Sequence, residues 1–242
     1  VVINHERQFI SAPFERPVRG FCTTRFGGVS AAPFDSFNLG AASGDEANRV
    51  AENRRLLRRM LPADPRWLKQ VHGNRVIHLS DWLQGTEADA AWTDRPGQVA
   101  AVLTADCLPL LIADSGGACV AAIHAGWRGL ASGVIAECIA ALPVRPARLL
   151  AWIGPGICRE HYEVDGVVHG AFPGAEEAFT ANREGHWLAD LPAIARKQLK
   201  DAGVGQLIDS GACTAEGNRF FSHRRDRLTG RMASVIWIEH AG

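Results

Sequence analysis

"TADCLPLLIADSGGACVAAIHAGWRG", residues 104–129, is the stretch on which the fold turns. The aliphatic run at 108–113 and the turn-strand-loop at 116–129 both have β-type composition, without regular alternation of polar and apolar residues. Continuous apolar runs of this length belong to strands buried on both faces. Asp106, Cys107 and His124 break the pattern at its ends, where a buried sheet wants only aliphatics. An acid, a thiol and an imidazole at strand ends point to a site at the mouth of a pocket, and a metal ion is the partner that Cys107 and His124 suit.

Working outward, a turn at Arg95-Pro96-Gly97 leads into a predicted strand at 99–104. "WLKQVHGNRVIHLS" (67–80) predicts two short strands joined at His72-Gly73-Asn74, with His72 at a strand edge or in the loop. "DEANRVAENRRLLRRML" (45–61) predicts a helix with Asp45 as N-cap and Pro62 as its stop. "FCTTRFGGVSAAPFDSFNLGAASGDE" (21–46) opens as a short strand and then takes on loop chemistry. Downstream, "LASGVIAECIAALP" (130–143) predicts a helix ended by Pro143, and "ARLLAWIGPGIC" (147–158) a buried strand entering a Gly-Pro-Gly loop. Helices near 165–180 and 190–202, a strand at 206–209 and a closing strand "MASVIWIEH" (232–240) complete the reading. Interspersed strands and helices, with no repeat or linker, predict a mixed α/β (α+β) chain forming one layered domain over residues 1–242.

With 47% hydrophobic and 21% charged residues the chain has the composition of a globular domain with a sizeable core. A formal net charge of zero gives no field that would draw in a polyanion, so the expected partner is a small molecule and not nucleic acid. The basic run "NRRLLRR" (53–59) reads as the solvated face of a helix. No stretch reaches the roughly 18 apolar residues of a membrane span, and "VVINHERQFI" has no long apolar run, so a cytoplasmic location without membrane contact is expected. The six cysteines include no C-x-x-C pair and are read as reduced thiols.

His72, Cys107 and His124 all fall where a predicted strand meets a loop. Two imidazoles and a thiolate can hold a zinc ion and leave a fourth position open. Spacing alone leaves a second reading, a buried thiol with hydrogen-bonded histidines. Asp106 has three roles open to it: general acid or base, a partner that orients a histidine, or a strand-end turn residue. Trp127 is either core or a stacking surface, and Arg128 either an anion contact or a surface residue. Asn38 in "FNLG" is a ligand contact or a left-handed turn residue. His223, Arg224 and Arg225 in "SHRRDRLTGR" (222–231) line a groove or form a charged turn.

Several ordered stretches resemble one known family. They are "TTRFGGVS" (23–30), "FNLG" (37–40), "VAENR" (50–54), "WLKQVHGNRV" (67–76), "ADAAWTD" (88–94), "LTADCLPLL" (103–111), "AAIHAGWRG" (121–129), "IGPGIC" with "YEV" (153–158, 162–164) and "FFSHRRDRLTGR" (220–231). Together they resemble the YfiH-like, or multicopper polyphenol oxidase (laccase-domain), proteins over nearly the whole chain. The resemblance implies a layered α/β sandwich with a central groove, and His72, Cys107 and His124 as ligands of a zinc ion. It implies phosphorolysis of adenosine, inosine, guanosine and S-methyl-5′-thioadenosine, with adenosine deamination as a second activity. It also implies that Arg25 helps to hold phosphate, a task that suits the bidentate guanidinium, with the N–H groups of Gly27 and Gly28 as added donors. The surroundings of "YEV" depart from the family pattern, and Cys158 and Glu163 receive no role from it.

On this basis the expected cofactor is zinc, with copper possible, and the expected catalytic set is Cys107, His124 and Asp106. Arg25, Asn38 and Arg128 are the expected substrate or phosphate contacts of a monomer or weak homo-oligomer. Three rivals remain open. A copper oxidase would share the His₂Cys set, though none of the nine histidines forms the H-x-H pairs of an oxygen-reducing copper cluster. An amidase that edits peptidoglycan precursors would use the same zinc. A non-enzymatic zinc module would need a fourth ligand, such as Cys22 or Cys119.

Overall fold

The protein is described from a computed structural model covering residues 8–240; the opening "VVINHER" lies outside the described residues. In chain order the strands are β1 (Phe9–Ser11), β2 (Val18–Thr23), β3 (Val76–His78), β4 (Ala90–Thr93), β5 (Val99–Thr104), β6 (Leu108–Asp114) and β7 (Val120–Ala125). They continue with β8 (Leu149–Ile153), β9 (Glu163–Asp165), β10 (Phe179–Arg183), β11 (His186–Ala189), β12 (Gln206–Asp209) and β13 (Met232–Ile238). The helices are α1 (Ala47–Arg58), α2 (Trp127–Ala131), α3 (Val134–Ala141), α4 (Gly166–Gly170), α5 (Leu191–Asp201) and α6 (His223–Asp226).

The two runs of the opening stretch become β6 and β7, antiparallel neighbours at the centre of a mixed sheet ordered β12-β8-β6-β7-β4-β3. A second sheet, β1-β2-β13-β5, packs face to face on it, and β10-β11-β9 forms a small third sheet. Successive side chains of a strand point to opposite faces. Leu108, Leu110 and Ile112 of β6 and Ala121, Ile123 and Ala125 of β7 therefore join one core with α3 and α5. Leu111, Ala113, Val120 and Ala122 face Ala100, Val102 and Ile236 between the two sheets. Val99, Ala101 and Val235, on the far face of the second sheet, pack under Leu57 of α1. The result is a helix–sheet–sheet–helix sandwich, the layered mixed α/β class expected from the sequence.

The structure departs from the sequence reading at five elements. Residues 67–71 form no strand, being joined to their neighbours only by isolated bridges such as Lys69 to Glu87. Residues 127–129, expected as loop, open the short helix α2, which takes in the first two residues of the helix expected at 130–143. The helix expected near 165–180 is only the five-residue α4, after which the chain turns into the β10-β11 hairpin, whose first strand is exposed and polar and gives no apolar signal. Asp45 does not cap α1; Glu46 holds that position, and the Asp45 carboxylate accepts from Ser30 Oγ at 2.6 Å and Asn38 Nδ2 at 3.0 Å. Asn38 is not left-handed, and its Oδ1 accepts from the Gly40 N–H within the turn. All six cysteines are free thiols, and no helix among the described residues is long and apolar enough to cross a membrane.

Candidate metal centre and cavity

Strand register gathers the site at one end of the sandwich. Leu108 pairs with Ala125, which sets Cys107 opposite Gly126; Ala90 pairs with Ile123, which sets Asp89 opposite His124. In the second sheet Met232 pairs with Thr104, so Arg231 stands beside Ala105. His124 shares its side of β7 with Val120 and Ala122, and thus faces the layer between the sheets.

His72, Cys107 and His124 come together, with one ligand atom from each and all three within 4.8 Å of one another. His72 is exposed, Cys107 half-buried and His124 buried, so the cluster has an open side. The His72 and His124 rings meet edge to face at 4.8 Å. Gly126 lies against both partners, for a Cβ there would sit 2.9 Å from Cys107 Sγ and 3.2 Å from His72 Cδ2. The backbone of His72 is left-handed (φ 60°), and Asp89 holds it so.

Asp89, fully buried, organises the whole arrangement. One carboxylate oxygen accepts from His72 N–H at 2.9 Å and pairs with His124 Nδ1 at 2.7 Å; the other accepts from Val71 N–H at 3.1 Å and Gly73 N–H at 2.8 Å. A carboxylate only accepts, so Nδ1 of His124 carries the proton and Nε2 is left for a metal. Two imidazoles and a thiol oriented in this way fit zinc.

Burial by itself raises a thiol's pKa, but the charge and hydrogen bonds of His124 and His72 outweigh it and bring Cys107 down to about 6. Burial acts to lower His124, yet the Cys107 charge and the Asp89 hydrogen bond push it above the usual imidazole range. Asp89 is held below the ordinary carboxylate range, since His124 and the N–H groups of Gly73 and Val71 overcome its burial.

Asp106 is a different kind of residue. It is buried and left-handed (φ 93°), and its two oxygens are taken by Thr214 Oγ1 at 2.7 Å and Arg224 N–H at 2.6 Å. Of its three expected roles, the geometry supports the strand-end turn. The carboxylate that orients a histidine is Asp89, which lay inside "ADAAWTD" but carried no mark there beyond its type.

A cavity of about 450 Å³ opens beside the cluster, bounded by Gly40–Ser43, Leu103, Gln70, His223 and Arg231. His223 Nδ1 pairs with the carbonyl of Arg227 at 2.7 Å, an acceptor, which leaves Nε2 free. Arg231, the last residue of "FFSHRRDRLTGR", went unmarked in the sequence reading; its Nη1 donates to the carbonyls of Thr229 and Gly230.

The expected binding residues sit farther back. Asn38 is fully buried, and its Oδ1 accepts from the N–H groups of Gly40 and Arg231, so it joins two parts of the cavity wall and does not face the space. Arg25 is turned to Asp35, donating to its carbonyl at 2.7 Å and its carboxylate at 3.1 Å, and lies over the Phe221 ring. The N–H groups of Gly27 and Gly28 both donate to Ser36 Oγ, so the expected anion nest is filled by the chain's own hydroxyl. Exposed Arg128 stacks on Trp127 at 4.4 Å, and Trp127 packs on the core. Arg224 covers Tyr162, while Arg225 is bonded to Asp226 and nearby carbonyls.

Comparison with known proteins agrees with this architecture. The model of the family described as multi-copper polyphenol oxidoreductase laccase matches residues 19–239. Purine nucleoside phosphorylase YfiH of Escherichia coli (strain K12) is 44% identical over 233 residues, covering 93% of this chain and 96% of that protein. Purine nucleoside phosphorylase PA4543 of Pseudomonas aeruginosa is also 44% identical, covering 94% and 96%. The crystal structure of Neisseria meningitidis protein NMB0706 superposes with a TM-score of 0.92 at 43% identity, covering 96% of this chain and 99% of that one. With its sandwich, its cluster at the strand ends and these likenesses together, the chain belongs to the multi-copper polyphenol oxidoreductase laccase family, the YfiH-like proteins.

Proposed function

We propose that the chain is a zinc-dependent purine nucleoside phosphorylase. It converts adenosine, inosine, guanosine or S-methyl-5′-thioadenosine, with phosphate, to the free base and the sugar 1-phosphate. The observation that carries this reading is the three-donor cluster of His72, Cys107 and His124, open toward a cavity of nucleoside size with Arg231 and His223 on its wall. The relatives at 44% identity, named as purine nucleoside phosphorylases, support it.

In phosphorolysis a phosphate oxygen bonds to C1′ while the C1′–N9 bond breaks and its electron pair leaves with the base. Arg231 is assigned to phosphate, where a fixed positive group orients the nucleophile, and His223 lines the same wall as a polar contact. Leu68 and Leu103 offer apolar wall to the base and sugar. Asn38 acts through Gly40 and Arg231, and Arg25 through the segment it fastens to Asp35; Arg128, exposed and stacked on Trp127, lies outside the cavity lining. Asp106 positions Cys107. Zinc held by His72, Cys107 and His124 supplies a Lewis acid, suited both to charge developing on the purine and to hydrolytic deamination of adenosine as a second activity.

We assign the whole chain to one such domain, a monomer or weak oligomer acting in the reducing cytoplasm, in keeping with its six free thiols. The test is to incubate purified protein with adenosine and phosphate, separate the products and measure bound metal. Adenine with ribose 1-phosphate, lost in Cys107→Ala, is the expected result; inosine without phosphate would mark the deaminase activity. Stoichiometric copper with turnover of a phenolic dye, and no phosphorolysis, would overturn the reading in favour of an oxidase.

A further inference from the structure

A second group of metal-ligating side chains lies outside this site. Cys158, His161, Cys213 and Glu216 each offer one ligand atom, and the four atoms lie within 4.8 Å of one another. His161 Nδ1 is 3.1 Å from Cys158 Sγ and 3.8 Å from Cys213 Sγ, and Glu216 Oε1 is 3.8 Å from Cys158 Sγ. Tetrahedral zinc, with bonds of roughly 2.0–2.3 Å, places its ligands roughly 3.3–3.8 Å apart. The observed separations are close to those of a coordination shell.

The chain builds the cluster from two matching pieces. Cys158 caps and His161 ends a single 3-10 turn, Arg159–His161, and Cys213 and Glu216 have the same three-residue spacing in the loop after β12. The backbone holds the pieces together: Gly156 N–H donates to Ala212 O at 3.2 Å, and Thr214 N–H to Gly156 O at 2.9 Å. Cys158 N–H in turn donates to Cys213 Sγ at 3.2 Å, a contact that also orients sulfur ligands.

We propose that these four residues form a second, closed zinc site. Two thiolates, an imidazole and a carboxylate complete a tetrahedron, which is the pattern of a structural ion rather than one that takes substrate. Its place in the fold gives it a task. Ile157 N–H donates to the Asp106 carbonyl at 2.9 Å and Thr214 Oγ1 to the Asp106 carboxylate at 2.7 Å, so both loops of the cluster grip the residue before Cys107. An ion that fastens the loops steadies the strand end that carries the first site.

The test is to strip the full-length protein under reductant and titrate it with zinc against a colorimetric chelator. Wild type is expected to bind two equivalents, and Cys107→Ala, Cys158→Ala and the exposed-ligand variant His161→Ala one each, with unchanged circular dichroism. Cobalt(II) added to Cys107→Ala is expected to give thiolate-to-cobalt absorption, which C158A and C213A remove. One equivalent in wild type and none in Cys107→Ala would overturn the proposal, as would two equivalents in His161→Ala together with Cys158→Ala, or a Cys158–Cys213 disulfide in the purified protein. The zinc count does not depend on which reaction the first site catalyses, so the two readings fail separately.

Discussion

Asp89 shows how one side chain governs the chemistry of three others. Asp89→Asn keeps the shape but turns an amide toward donors that need an acceptor, and it weakens the hold on His124 Nδ1–H. Loss of such an orienting partner lowers metal affinity about 10–100-fold, measurable by chelator competition; equal affinity in the variant would remove Asp89 from its assigned role. Gly126→Ala is expected to abolish zinc binding at this site with the fold intact, because the added methyl meets Cys107 Sγ. Protons give a further check. Zinc needs the Cys107 thiolate and a neutral His124, and His124 is held above its usual range while Cys107 lies at about 6. Binding near neutral pH therefore displaces the His124 proton, and affinity rises with pH by roughly tenfold per unit; below about 6 the Cys107 proton must go as well and the dependence steepens. Affinity independent of pH between 6 and 8 would contradict the thiolate–imidazolium pair. The three members of the cluster were legible in the sequence because a thiol and imidazoles at the ends of apolar runs stand out by type. Asp89 and Arg231 were not, since an Asp or Arg before a strand has the same composition signal whether it faces solvent or a buried donor.

Among the elements, legibility followed apolar content. β5, β12 and β13 lie where their β-branched and aliphatic runs predicted them, and α5 where its amphipathic spacing did. The β10-β11 hairpin escaped because Thr180–Arg183 is exposed and polar, and α2 because a five-residue helix has too few turns to show a period. The loop between β2 and α1 has almost no periodicity, yet it is tied to α1 by a buried side chain. Asn53 of α1, fully buried, donates to Ser30 Oγ, Ser36 O and Asn38 O and accepts from Val29 N–H. Asn53→Ala would leave these groups buried without partners, at a cost of roughly 2–4 kcal/mol in denaturant unfolding. Since the same loop carries Asn38 and the cavity wall, the variant is expected to raise the KM for nucleoside while its zinc content stays at the wild-type level. A fall in zinc content instead would mean that this loop supports the metal cluster and not the cavity.

Across the whole molecule the site draws on both sheets and on segments far apart in the chain. That convergence was beyond the sequence because β6 pairs with β8 and β13 with both β2 and β5, and such non-consecutive neighbours leave no local trace. It also means that an ion at His72, Cys107 and His124 can bind only the folded chain, and so must stabilise it. At a free concentration of 100 times Kd the gain is about 2.7 kcal/mol. For a chain of this size each kcal/mol moves the melting temperature by about 2–4 °C, so zinc at this site is expected to raise Tm by roughly 5–10 °C. Differential scanning fluorimetry of wild type and Cys107→Ala, each with and without chelator, isolates the contribution. The chelator-dependent shift should be smaller in the variant by this amount, the Cys158–Cys213 site still contributing, if Cys107 is the ligand that ties the sheet end to the loop at 71–73. A Cys107→Ala protein with the full zinc-dependent shift would place the stabilising ion elsewhere, whereas a wild type indifferent to chelator would mean that the strand ends hold their geometry without one.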